Sequence, residues 1–245
     1  MFYIDPIYFL FVALPLLVVT GLCQLWVKSA YAKYSKIGNA QGVSGAEAAR
    51  AILHGAGVEG VRVEEVNGWL SDHYSPRERV LRLSPQNYSG VSIAAVGIAA
   101  HEAGHALQHA LGYKPLVLRN LAVPLASIGS GLGYLVIVLG FIVGGGGHGG
   151  LNIVSLIGLC LIASVAVYQL INLPVEFDAS RRALEVLPRS GILTPEETRG
   201  ARAVLVAAAM TYVAATLAAV VEVLYWAWRL GLIGGNRRDS NSGYS

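Results

Sequence analysis

The sequence predicts an α+β membrane protein in which about four transmembrane helices are built together with a small antiparallel sheet and one helix carrying two histidines a turn apart. Three observations predict it. Of 245 residues, 54% are hydrophobic and only 13% charged, with a mean hydropathy of +0.54, which is not a soluble composition. Several uncharged runs reach the roughly 20 helical residues needed to cross about 30 Å of hydrocarbon. Between the first and second of these runs, short alternating segments precede the motif His101-Glu102-Ala103-Gly104-His105.

Residues 1–27 read as an N-terminal anchor. Ile7 to Val27 has no charge in its interior, and Tyr3, Tyr8 and Trp26 lie near its ends as interfacial side chains. With no basic start and no small-residue cleavage site, it predicts a retained span rather than a signal peptide. Residues 28–120 form a cytoplasmic subdomain. In it Ser44-Gly45-Ala46-Glu47 is a capping box that opens a scaffold helix running to His54 and closed by Gly55. Val61 to Val66 reads as a strand, Asn67-Gly68 as a hairpin turn into Trp69 to Tyr74, and Arg79 to Leu83 as a third, half-buried strand after the turn Ser75 to Glu78. The expected result is a three-stranded antiparallel meander whose outer edge either receives an extended substrate or is covered. Asp72-His73-Tyr74 is then a surface cluster beside a turn, or a polar wall of a cleft.

The motif helix is predicted from about Gly90 to Leu111, capped by Gly112. Positions i and i+4 share a helix face, so His101 and His105 can grip one cation, while Glu102, turned by about 100°, stands beside the metal without joining its ligands. Such a motif arises by chance only about 0.006 times in a chain of this composition, so it is taken as chemistry: a zinc peptidase layout with Glu102 as general base. The small sheet followed by this helix is, in that layout, a zincin-like domain. His109, at i+8, lies about 12 Å along the axis from His101 and cannot complete a site centred on the first pair; it is left for the surface or for substrate.

Residues 121–173 read as a transmembrane hairpin, Leu121 to Val143 and Leu151 to Leu173 joined by the turn Gly144 to Gly150. Gly129 and Gly133 mark close helix packing. Residues 174–202 form a cytoplasmic segment that ends in a second capping box, Thr194 to Glu197. Residues 203–230 hold the fourth span, with Glu222 expected to reach the headgroups, and 231–245 form a polar tail, disordered from Asn236. Cys23 and Cys160 have neither metal nor redox spacing and are assigned to packing.

Lys28, Lys33 and Lys36, then Lys114 and Arg119, then Arg181, Arg182, Arg189, Arg199 and Arg202 flank the spans on one side, which places that side and the motif in the cytoplasm. Arg237 and Arg238 run against this rule. The net charge of +3 is accounted for by topology, without nucleic acid. A catalytic zinc keeps one position open and needs a third protein ligand. No His follows six residues after His105, where Leu111 stands. Glu176, where the hairpin returns to the motif helix, is the best third ligand; Asp178 is its rival, or else orients an imidazole.

The blocks Ser71 to Arg77, His101 to Gln108 and Leu173 to Arg181 resemble the YugP-type membrane zinc metallopeptidases over nearly the whole chain. The resemblance implies one zinc ion held by His101, His105 and Glu176, with Glu102 as catalytic base. A more distant likeness is to the membrane peptidases that include the prenyl-protein proteases; here Ser180 stands where that group has an Asp. The expected function is hydrolysis of peptide or membrane-protein substrates at the cytoplasmic face of a bacterial plasma membrane by a multi-pass protein. The alternative is a non-enzymatic adaptor or assembly factor stapled by zinc, which predicts a fourth protein ligand from His109, Asp178 or His73. A metal transporter fits less well, because the ligating groups fall outside the spans.

Overall fold

The structure, a computed structural model, describes residues 6–69, 71–144 and 151–234. The anchoring Tyr3, most of the glycine turn (145–150) and the tail with Arg237 and Arg238 lie outside the described residues. Among the described residues, four helices are long and apolar enough to cross a membrane: Pro6–Tyr34, Lys114–Val143, Ile153–Arg189 and Pro195–Arg229. The first consists of α1 (Pro6–Tyr8), a π-helical stretch (Phe9–Ala13) and α2 (Leu14–Tyr34); the others are α6, α7 and α8. Between them lie α3 (Gly45–Gly55), β1 (Arg62–Glu65), β2 (His73–Ser75), β3 (Val80–Leu83), α4 (Pro85–Tyr88) and α5 (Ile93–Ala110). The chain divides into two compact units, one of residues 1–15, 122–168 and 217–245, the other of 16–121 and 169–216.

The second unit contains the motif helix. Its core is built of small and branched residues: Ala46, Ala49 and Ile52 of α3 pack with Val96, Ala99, Ala103 and Ala106 of α5, Leu81 and Leu83 of β3, and Ala183 and Leu187 of α7. The Ser44 box that opens α3 is formed as expected, with the Ser44 side chain accepting from the Glu47 N–H and Glu47 accepting from the Ser44 N–H. The hydrogen bonds from the Ser44 N–H and hydroxyl hold the Glu47 carboxyl below its ordinary value. Ser92 caps α5 by accepting from Ala95 N–H at 3.1 Å, and Gly112, at φ 60°, closes it.

The sheet is mixed, not antiparallel. The chain reverses direction at each strand as a meander does, but β3 slots between the other two, giving the order β1-β3-β2. β1 therefore pairs parallel with β3, Arg62 facing Val80, and β2 antiparallel with it, His73 facing Arg82. Burial decides this: Val80, Leu81 and Leu83 are fully buried and take the centre, whereas β1 and β2 have no fully buried residue and form the edges. Asn67-Gly68 consequently makes no hairpin between neighbours; the hairpin is the next turn, β2 to β3, where Arg79 takes φ 54°.

Helix α7 also departs from expectation. Instead of ending near Leu173, it runs unbroken through Pro174 to Arg189, 37 residues in all. A proline inside a helix costs one hydrogen bond and a steric clash, about 3 kcal/mol. Val175, Ala179, Ala183 and Leu187, spaced four apart, are each fully buried, and this stripe offsets the loss by binding the second half of α7 to the core.

In the first unit the Gly129/Gly133 pair packs closely as expected: a Cβ on Gly129 would collide with the Leu161 carbonyl, and one on Gly133 would meet Ile162 Cγ1 at 2.9 Å. Ile137, Leu159, Ile162 and Leu230 form its core. The Glu222 carboxylate accepts hydrogen bonds from Tyr8 and Tyr134, each at 2.5 Å.

Candidate metal centre

The site rests on the crossing of α5 and α7. Gly104, between the two histidines, permits it, because a Cβ there would stand 2.6 Å from the Ala179 carbonyl oxygen. With the two backbones this close, Glu176 one turn before Ser180 meets His101 and His105. The ligand atoms of His101, His105 and Glu176 all lie within 4.8 Å of one another. His101 Nε2 is 3.3 Å and His105 Nε2 is 3.7 Å from the same oxygen, Glu176 Oε2. That oxygen is buried and makes no hydrogen bond.

The other ring nitrogens explain why these three groups fit a cation. Gln108 is fully buried, and its amide nitrogen donates to the Val175 carbonyl at 2.8 Å and to Asp178 Oδ2 at 3.0 Å. Its oxygen is thereby left to accept from His105 Nδ1 at 3.0 Å. His105 Nε2 in the neutral ring then carries a lone pair, aimed at a carboxylate oxygen. His101 Nδ1 is paired with the Ser180 hydroxyl at 3.1 Å, which holds the orientation of the second ring. Two imidazole nitrogens and a buried carboxylate oxygen converging on one point form a donor set that a divalent cation can bridge. Borderline nitrogen donors with one carboxylate suit zinc. In the metal-free protein, burial pushes the His105 pKa down, but the nearby carboxylates of Glu176 and Glu102 outweigh it and hold the imidazole above its ordinary 6.5.

Two cavities open on this centre. One, of about 200 Å³, is lined by His101, Glu102, Glu176 and Ser180 together with apolar residues of α2, α5 and α8, among them Val27, Ile98, Val204, Ala208 and Ala209. The other, of about 110 Å³, is lined by His101, Glu102, His105 and Glu176 with polar groups of β2 and of the long helices, His73, Arg119 and Tyr212. Glu102 is 8% exposed and faces both.

Asp178, the rival ligand, is engaged elsewhere: besides Gln108 it accepts from Arg182 Nε at 2.5 Å and from Arg181. His109 pairs its Nδ1 with the Tyr74 hydroxyl at 2.8 Å, and His73 Nδ1 with the Ser71 carbonyl at 2.8 Å. Neither joins the metal group, so among the described residues no fourth protein ligand accompanies the three, and the stapled-adaptor alternative is not favoured. Asp72 does not sit in a loose surface cluster: it accepts from Ser84 N–H at 2.8 Å and Asn87 Nδ2 at 2.9 Å, fixing β2 beside the cleft.

Four residues of the site carried no role in the sequence reading. Gln108 sits at i+3 from His105 and was open to detection on helical spacing alone. Ser180 sits at i+4 from Glu176, a relation hidden while α7 was expected to stop at Pro174. Tyr212 and Arg119, on other long helices, have no local signal of their role.

No solved structure matches the chain. A family profile described as "Putative neutral zinc metallopeptidase" matches residues 8–231. The chain is also similar to a Bacillus subtilis (strain 168) protein named "Putative membrane protease YugP", at 42% identity over 233 residues, covering 95% of this chain and 99% of that one. With the profile spanning nearly every described residue and both histidines and Glu176 inside the match, the chain belongs to this family of neutral zinc metallopeptidases.

Proposed function

We propose that the protein is an integral membrane zinc endopeptidase that hydrolyses peptide bonds at the cytoplasmic face of a bacterial plasma membrane. The observation that carries this reading is the convergence of His101 Nε2 and His105 Nε2 on one Glu176 oxygen, at 3.3 and 3.7 Å, with Glu102 lining the same two cavities. His101, His105 and Glu176 would hold one zinc ion, which when bound would supply Lewis-acid polarisation and lower the pKa of the attacking water. Glu102 takes a proton from that water as its oxygen adds to the scissile carbonyl carbon, then delivers the proton to the amine nitrogen as the C–N bond breaks. Gln108 and Ser180 hold the two rings by their Nδ1 atoms throughout. The basic residues clustered beside the spans support the cytoplasmic orientation, and the substrate is a peptide or a membrane protein.

The test is zinc content and hydrolysis of a broad peptide set by the purified protein beside Glu102→Ala and Glu176→Ala. Glu102→Ala is expected to keep its zinc and lose hydrolysis by about 10²–10⁴-fold, the range for a general base; Glu176→Ala is expected to lose zinc. Zinc-loaded protein that cleaves none of the set would sink the peptidase reading, and full zinc affinity in Glu176→Ala would sink the ligand assignment.

A further inference from the structure

Arg119 is the feature of the cleft that the peptidase chemistry leaves unexplained. It lies near the start of α6 and lines the smaller cavity together with His101, Glu102, His105 and Glu176. Its Nε is buried and has no hydrogen-bond partner. Its guanidinium also belongs to none of the ion pairs formed among the described residues, in which Arg62, Arg82, Arg181, Arg182 and Arg199 all find carboxylates. A guanidinium is charged at every accessible pH and presents planar paired donors matched to a carboxylate. Leaving its buried Nε unpaired is costly, so a partner is expected to arrive from outside the chain.

The carboxylates already in the cavity do not answer that need. Glu176 faces the two imidazoles, Asp72 is taken up by Ser84 and Asn87, and Glu102, which lines the same cavity, forms no ion pair with Arg119. The two cavities, which share His101, Glu102 and Glu176, also differ in character. The larger is walled by Val204, Leu205, Ala208 and Ala209 of α8 and takes an apolar side chain; the smaller has polar walls and the free guanidinium.

We infer that Arg119 is the substrate's anion-recognition residue: it pairs with a carboxylate that the peptide presents next to the scissile bond, while an apolar side chain on the other side enters the α8-lined cavity. This rests on the peptidase reading and adds the substrate class to it. The carboxylate is either the peptide's own C-terminus, which makes the enzyme a trimmer of short C-terminal peptides, or an acidic side chain within a longer chain.

The probes are three peptides: Ala-Leu-Leu-Ala as free acid, the same peptide as C-terminal amide, and Ala-Leu-Leu-Asp amide. Cleavage is measured with the zinc-loaded full-length protein and its Arg119→Gln and Arg119→Lys variants, zinc content serving as the check on folding. Binding of the same peptides is measured by calorimetry on zinc-loaded Glu102→Gln, with and without Arg119→Gln. A carboxylate-bearing peptide is expected to exceed the plain amide by about tenfold or more in kcat/KM and in affinity, the usual worth of a charged hydrogen-bonded pair. The ratio should fall to near one in Arg119→Gln and be partly kept in Arg119→Lys. Preference for the free acid alone assigns the terminal carboxylate; preference for the Asp amide assigns a side chain. An Arg119-dependent binding preference without any cleavage leaves the anion site standing and removes the peptidase reading. A carboxylate preference that survives in Arg119→Gln, as direct ligation of zinc by the peptide would produce, or no preference in the parent protein, overturns the inference.

Discussion

At the scale of single residues, the ring-orienting contacts reinforce the candidate ligands. Gln108 can serve His105 only because Val175 and Asp178 occupy both of its amide hydrogens and fix which end faces the ring. Gln108→Ala is therefore expected to weaken zinc binding by about 10–100-fold, the usual cost of losing such a partner, as read by competition with a chromogenic chelator. The raised pKa of His105 gives a pH dependence with a definite sign. Its metal-free imidazole holds a proton up to a pH above 6.5, and zinc must displace that proton. Zinc affinity should thus begin to fall on acidification above pH 6.5, and drop about tenfold per further pH unit for the one proton displaced. Titration of zinc affinity between neutral and mildly acid pH checks this; an affinity that stays flat until well below the ordinary imidazole value contradicts it.

At the scale of elements, the site depends on how closely α5 passes α7. Both atoms at the contact, the Gly104 Cα and the Ala179 carbonyl, belong to backbone, so no side chain can swing away to admit a methyl group. Gly104→Ala is expected to push the helices apart and reduce zinc content below one ion per chain although every ligand is present, measured by metal analysis of the purified protein. Gly112→Ala acts on the conformation of one turn, away from the crossing, and should leave the zinc content of the protein unchanged.

The elements were unevenly legible in the sequence. The spans, the Ser44 box and the extent of α5 follow from local signals: apolar runs, side-chain caps and a closing glycine. The Asn67-Gly68 signal misled because a turn residue fixes the local reversal but not which strand becomes the neighbour, and the buried face of β3 decided that. Pro174 misled in the same way. Its intrinsic cost is local and visible in sequence, whereas the buried stripe from Val175 to Leu187 that overrides it appears only when α5 and the rest of the core are in place.

At the scale of the whole molecule, the group of His101, His105 and Glu176 draws together helices remote in sequence. An ion bound only by the folded chain stabilises it by mass action. Zinc removal by chelation is expected to lower the thermal unfolding midpoint by several degrees, as followed by circular dichroism in detergent. The same treatment should leave Glu176→Ala unmoved, since the ion no longer ties α7 to α5. Identical shifts in both proteins would show that the stabilising ion sits elsewhere. At 1.5 Å per residue α7 extends about 55 Å, longer than the roughly 30 Å of hydrocarbon that a span must cross.

By itself the sequence determined the membrane character and the helix that carries His101, Glu102 and His105, because each is written in composition or in the spacing of one helix, and it pointed to Glu176 as the carboxylate that meets them. Only the tertiary structure decided the strand order, the unbroken course of α7, the partners of the two ring nitrogens and the place of Arg119 and Tyr212 in the cleft. Those depend on which distant surfaces bury one another, and long-range burial leaves no periodic trace in a single chain.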